Sequence, residues 1–391
     1  DVEEIDSDVP VLVDYNACGS ANGERASGSW EDPISVVSPF VDRLGSTTGA
    51  PAQRNSYDCA SDVEEGGGER VYQFSMAQAG WLRAEVDEAS GVDVDLHVLR
   101  VDDTCVVRAN TVLELWDLDP GDYRLVIDTW SGDGADHAGD YVLEVLTGAY
   151  GAWTHTDVAP GVRFAYRRDA HLYATALFFS VTATVRPQSH QGCATANGVA
   201  TANGAVAGIN GGFFSFNGCP SLDLVRAEGV TYALNHIGDA EQRVVAWDDD
   251  AAATTAWVGK EEDYTNHDQA IGSWPSLVTG GNRLLEPDSS ASFHTARHPR
   301  TGLGITDTGS LIALVIDGRS DVSDGVDLND FAQELLDLGA VEAVNLDGGG
   351  SSTMWVDGCS VNGVVNFPSD GGGDDHSGSR KVSDGLYAFD R

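Results

Sequence analysis

The feature that most limits this chain is a series of short runs in its first half, RVYQFSM, GWLRAEV, DVDLHVLR, YRLVIDTW and DYVLEVL, in which apolar and polar residues alternate. A period of two places every second side chain on one face of an extended strand, and runs this short do not build the apolar stripe of a helix. Gly, Asp and Pro separate the runs, as in the turn Asp119-Pro120-Gly121-Asp122. Residues 33–148 are therefore expected to form an all-β antiparallel sandwich. Residues 1–32 are polar and rich in Gly, Ser and Asn without a period, and read as an extended N-terminal segment.

The pattern changes after Gly148, and 391 residues exceed what one hydrophobic core usually holds, so a second domain over 149–391 is expected. LYATALFFSVTATV (172–185) reads as one strand or two, and the Ala-rich GCATANGVATANG (192–204) as a short helix. GSLIALVIDGR (309–319) is an apolar run of strand length that ends at an acid. In DLNDFAQELLDLG (327–339), Leu328, Phe331, Leu335, Leu336 and Leu338 share a helical face, Asp327 is the N-cap, Asp330 is near the capping-box position and Gly339 is the stop. VEAVNLD (341–347) is a further strand. Strand, helix and strand in sequence predict two parallel strands joined by a right-handed crossover. The expected fold class is thus an α+β domain with a mixed sheet and flanking helices, preceded by the antiparallel sandwich.

In such a sheet Asp317 and Asp347 leave at one edge, and Asn210 follows a strand of its own. Gly211 and Gly212 after Asn210, and Gly348, Gly349 and Gly350 after Asp347, allow sharp turns that present backbone N–H groups. With the Ser351 and Ser352 hydroxyls they outline a receptor for an anionic or oxygen-rich group; ordinary Asn-Gly and Asp-Gly turns account for the pattern equally well.

Charge narrows the partners. Against 62 acids stand 22 bases, a formal net charge of −40, which opposes nucleic acid and anionic membranes. No apolar run reaches the roughly 18 residues of a membrane span. Acidity spread along the chain suits high ionic strength, where salt screens the self-repulsion. Six cysteines without a C-x-x-C pair point to disulfides and export, and the start DVEEIDSDVP fits a trimmed product. Cys59 with Cys105 and Cys193 with Cys219 each pair within one expected domain, leaving Cys18 for Cys359.

INGGFF (209–214), Gly218-Cys219, RHPRTGLGIT (297–306), VIDGR (315–319), the helix, NLDGGGSSTM (345–354) and the tail FPSD...SRKVSDG (367–385) follow one another as in the phosphodiester glycosidase family, which residues 155–391 resemble. The resemblance implies a secreted hydrolase that cleaves an α-linked, N-acetylglucosamine-like sugar from a phosphodiester. In that reading Asp347 and Asp317 supply the base and a cation-stabilising carboxylate, in an order the sequence leaves open, and Asn210 bonds a sugar hydroxyl or orients the water. Arg300, beside Thr301, is the first choice to grip the phosphate and Arg380 the second; Arg319 either pairs with Asp317 or binds substrate. Ser351 and Ser352 bind substrate, Asp370 is a further site carboxylate, and His298 lines the pocket or lies in solvent. No metal is required, although Asp347, Asp317 and Asp370 could hold Ca²⁺ or Mg²⁺.

ERVYQF, DVDLHVL, PGDYRLVIDTWSG and GDYVLEV resemble the pre-peptidase C-terminal type of bacterial sandwich, which implies a noncatalytic accessory role. There Asp93, Asp95, Asp102 and Asp103 are either calcium ligands or solvated acids. The competing readings are a carbohydrate-binding or adhesion protein, and an α-glycosidase acting on a polysaccharide without phosphate. The natural polymer, cell-wall or exopolysaccharide, and the oligomeric state are left open by the sequence.

Overall fold

The computed structural model describes Cys18 and residues 26–135, 137–234, 243–257, 263–272, 274–284, 292–373 and 375–390. Most of the expected N-terminal extension lies outside the described residues. The alternating runs become strands in two facing sheets. One has the order Ile34–Ser35, Glu69–Met76, Gly121–Thr129, Val94–Arg100, Cys105–Ala109; the other Phe40–Ser46, Asp140–Ala149, Gly80–Glu88, Val112–Leu118. Tyr72, Phe74, Val94, Leu96, Leu125, Ile127, Leu143 and Val145 fill the space between them.

The remainder corrects the expected mixed sheet with flanking helices. It is mostly β, and its largest sheet runs Thr154–Ala159, Val162–Asp169, Leu172–Phe179, Leu311–Ile316, Arg300–Thr306, Ala340–Asn345, Ser276–Thr279, Asn282–Arg283. Every neighbouring pair in it is antiparallel. The expected crossover does join two parallel strands, Leu311–Ile316 and Ala340–Asn345, but Arg300–Thr306 lies between them and pairs antiparallel with both. Arg300–Thr306 forms a hairpin with the strand that follows it, so the crossover has to pass over that hairpin. Both flanking strands still deliver their acids to one edge.

Among the described residues there are three α-helices, Ala196–Asn203, Ser292–Thr295 and Leu328–Asp337. The last starts where the sequence expects, with Asp327 accepting from the Asp330 N–H at 2.9 Å, and Gly339 just past its end has φ +96°. It buries Leu328, Phe331, Ala332 and Leu335 against one face of the large sheet. Gly302 permits that contact, since a Cβ there would lie 2.7 Å from the Phe331 ring. On the opposite face Leu303, Val315 and Val344 pack against a four-stranded sheet that contributes Ile209, Met354 and Leu386. Trp81 and Leu146 of the N-terminal sheets join this same core.

All three cysteine pairs form as the sequence suggests: Cys18–Cys359, Cys59–Cys105 and Cys193–Cys219. The four loop acids proposed for calcium do not converge. Asp102 accepts from the Thr104 N–H, Asp103 pairs with Arg54 and Arg124, and Asp95 is buried at the other end of its strand.

Candidate functional site

Alternation along Arg300–Thr306 decides which of its residues face the site. Thr301 pairs with Val315 on the face turned toward the four-stranded sheet, and Arg300 pairs with Ile316 on the helix face. Thr301 Oγ1 accordingly donates to Asn210 Oδ1 at 2.9 Å. Arg300 is 2% exposed, with Nε on the Val326 carbonyl at 3.2 Å and Nη2 on the Phe293 and Ala296 carbonyls at 2.7 and 3.1 Å. Burial pulls its pKa down to about 10. The expected phosphate clamp is therefore a support for the segment around Phe293, on the wrong face of the sheet for the site.

Asn210, also expected at the chemistry, is fully buried and fully bonded. Its Nδ2 donates to the carbonyls of Asp347 at 2.7 Å and Gly211 at 3.2 Å, and its Oδ1 accepts from Thr301 Oγ1 and from the Thr353 N–H at 3.0 Å. An amide has four such bonds to make, so this one positions the Asp347 loop and has none left for a sugar. Of the N–H groups expected to face a ligand, Gly211 donates to the Asp384 carbonyl at 3.0 Å, Gly212 to Asp384 Oδ1 at 2.9 Å and Gly349 to the Pro299 carbonyl at 2.9 Å. Phe213 donates to Asp223 Oδ2 at 2.7 Å. Gly211 is glycine because a Cβ there would collide with the Asp384 carboxylate.

Asp347 leaves the strand end partly exposed. Burial raises its carboxyl to about pH 7; the Ser351 hydroxyl bond and the Arg380 charge pull the other way, and Asp384 adds to the rise. Gly349, at φ +63°, packs under the Arg319 guanidinium, and a Cβ on Gly350 would strike both Asp370 and Arg380. Gly349 and Gly350 thus make room for two arginines, and Gly348 for the Pro299 carbonyl. Arg380 forks onto Asp370 at 2.7 and 2.8 Å and reaches Ser351 Oγ at 3.4 Å. Arg319 is exposed, holds a left-handed φ of 64°, and contacts His298 Nδ1 at 3.1 Å instead of Asp317.

Asp317 is 1% exposed, and its two oxygens accept from Asn366 Nδ2 and from the Phe367 N–H, both at 2.7 Å. Both oxygens of this residue, expected as base or cation-stabilising carboxylate, are engaged in clamping a chain segment. Ser352 is buried with its hydroxyl unpaired, whereas Ser351 faces Asp347. Asp317 bonds Asn366 and Phe367 while Asp347 and Asp370 both lie beside Arg380, and the three carboxylates do not converge closely enough to make the suggested Ca²⁺ or Mg²⁺ site. The sequence reading missed Asp384 and Asp223. Asp384 stood inside the quoted tail motif SRKVSDG; Asp223 carried no local signal.

Residues 203–389 match the family model for phosphodiester glycosidase. The chain is 39% identical over 95 residues to the SPbeta prophage-derived uncharacterized protein YomE of Bacillus subtilis (strain 168), covering 24% of this chain and 14% of that protein. It is 25% identical over 206 residues to the N-acetylglucosamine-1-phosphodiester alpha-N-acetylglucosaminidase of Bos taurus, covering 48% of this chain and 38% of the bovine one. The chain spans less than half the length of these relatives. A crystal structure of a hypothetical protein from Synechocystis shares the fold at TM-score 0.52 and 15% identity, covering 92% of this chain and 82% of that one. The zebrafish enzyme's catalytic domain, auto-inhibited by its pro-peptide, superposes at TM-score 0.46 with 18% identity, over 61% of this chain and 83% of that one. By its family match, residues 203–389 of this chain belong to the phosphodiester glycosidase family.

Proposed function

We propose that the chain hydrolyses the bond between an α-linked sugar and a phosphodiester, with Asp347 as the base that activates water. The observation that carries this reading is the Asp347 carboxyl set beside Ser351 and Arg380, over a triglycine turn flanked by a second guanidinium at Arg319. Water attacks the anomeric carbon, the bond from that carbon to the phosphate oxygen breaks, and the water proton passes to Asp347. A phosphomonoester leaves as an anion and needs little help from a general acid. Arg319 and Arg380 supply local positive charge for an anionic substrate on a surface of net charge −40. The substrate sugar is N-acetylglucosamine-like, as the names of the vertebrate relatives suggest, and the three disulfides fit a secreted enzyme. Among the described residues no helix is long and apolar enough to cross a membrane. The N-terminal sheets serve as its accessory module.

A base must be ionised, so kcat/KM should climb with pH and level off above an apparent pKa near 7, the value to which burial lifts Asp347. A rate that falls above pH 7 would make Asp347 a proton donor and contradict the assignment. The arginines separate by a second measurement. Arg319→Ala should raise KM for a sugar phosphodiester by roughly 10-fold or more, with little change in Tm. Arg300→Met should instead lower stability by about 3 kcal/mol, since it strands the Phe293 and Ala296 carbonyls, the Val326 carbonyl keeping the His298 N–H, and leave KM unchanged. The opposite pattern would return the phosphate to Arg300.

A further inference from the structure

The sandwich meets the rest of the chain through buried charged groups as well as through its apolar side chains. Along Gly80–Glu88 and Asp140–Ala149, Leu82, Ala84, Leu143 and Val145 fill the sandwich interior. Alternation therefore turns Trp81, Arg83, Glu85, Glu144 and Leu146 the other way, toward residues 149–391. The register sets Glu144 directly opposite Glu85. Arg83 bonds Glu85 at 2.7 Å and Glu114 at 2.6 Å. Glu144, 3% exposed, finds its cation across the boundary: its Oε1 lies 2.9 Å from His376 Nε2, while its Oε2 has no partner among the described residues.

The His376 ring is buried, and its Nδ1 lies 2.8 Å from the Asn366 carbonyl. A carbonyl only accepts, so Nδ1 carries a hydrogen. A carboxylate only accepts too, so Nε2 carries another and the ring is an imidazolium. Burial alone would lower the His376 pKa, but the Glu144 carboxylate outweighs it and holds the pKa above the usual histidine value, with Glu85 adding to the rise. Phe367 touches both charged groups: the His376 ring stacks on it at 4.6 Å, and the Arg83 guanidinium sits over it at 4.8 Å.

What these contacts hold is the segment next to the Asp347 turn. Asn366 Nδ2 donates to Asp317 Oδ1 at 2.7 Å and to the Ser352 carbonyl at 3.1 Å, and its Oδ1 accepts from the Met354 N–H at 2.8 Å. Ser352 follows Ser351, whose hydroxyl bonds Asp347. In a buried ion pair desolvation offsets most of the attraction, so the pair adds little net stability and acts mainly by fixing where the ring stands. We propose that Glu144 and His376 are positioning residues of the active site: through them the sandwich holds Asn366, and through Asn366 the turn that carries Asp347. The inference rests on the reading of Asp347 as the base and makes the sandwich a working part of the catalytic unit, although it touches no substrate.

The test is a double-mutant cycle on the full chain with a sugar phosphodiester as substrate. Glu144→Ala, His376→Leu and the double variant should each lower kcat about tenfold, with KM moving less than about twofold. Arg43→Ala cuts another contact across the same boundary, at the Ser360 and Val361 carbonyls, and should leave kcat as it is. An unchanged kcat in both single variants, losses that multiply in the double variant, or an equal loss in Arg43→Ala would overturn the proposal. If the variants fail to fold, the wild type decides: nitrogen-15 spectra at pH 7 should show hydrogen on both ring nitrogens of His376, and a neutral ring would overturn the proposal. If the wild type cleaves no diester, the reading of the reaction fails by itself, and the amide resonances of Gly348, Gly349 and Gly350 decide this inference. They should shift in Glu144→Ala and stay in place in Arg43→Ala; resonances unmoved in Glu144→Ala would overturn it.

Discussion

Asp347→Asn is expected to lower kcat on a sugar phosphodiester by about a thousandfold, the usual scale for losing a general base, while the chain stays folded. Asparagine fills the same space and can still bond the Ser351 hydroxyl, and Arg380 keeps its fork on Asp370. The stability effect even has a definite sign. Burial raises the folded-state pKa of Asp347 above its unfolded value. Its contribution to stability is then complete below the unfolded pKa and is lost as pH climbs through about 7. Above pH 7 the wild-type carries a partly desolvated charge that the variant lacks, so Asp347→Asn should melt at the same temperature or slightly higher at pH 8. Wild-type turnover in this variant would move the base elsewhere, with Asp384, a buried carboxylate whose charge acts on Asp347, the next to examine.

Asn210→Ala is expected to act mainly on stability, lowering it by about 3–5 kcal/mol in a urea titration. The substitution leaves the Asp347 carbonyl, the Thr301 hydroxyl and the Thr353 N–H without this partner, while the Gly211 carbonyl keeps the Asp347 N–H at 3.0 Å. Because one of those bonds holds the Asp347 carbonyl, kcat should fall too, but KM should move little. A variant with unchanged stability and a large rise in KM would give Asn210 the substrate-contacting role that its neighbouring glycines first suggest.

These two residues also show what the sequence could reveal. Strand ends were legible: apolar runs closing at Asn210, Asp317 and Asp347 do reach one region, because a strand delivers its last residue wherever the sheet edge lies. What each side chain does there was not. Asp317 turns inward to hold Asn366 and Phe367, partners about fifty residues away in the chain whose approach no local pattern announces. Arg300 was misplaced by a single step of alternation, since its neighbour Thr301 points at Asn210 and it therefore points at the helix. The same strand explains the wrong fold class. Two glycines within RHPRTGLGIT mask its strand character, and Arg300–Thr306 inserts between the two strands expected to be neighbours. At the triglycine turn, expected to let a ligand come close, the groups that come close to Gly349 and Gly350 are the guanidiniums of Arg319 and Arg380.

The proposed reaction depends on a substrate that is both a glycoside and a phosphodiester. Incubating the full chain with a methyl phosphodiester of α-N-acetylglucosamine 1-phosphate, in parallel with a neutral aryl α-N-acetylglucosaminide, tests that most directly. Release of free sugar and methyl phosphate from the first, with the second left essentially intact, is the expected result. Equal cleavage of the neutral glycoside, or no free sugar from the diester, would contradict it.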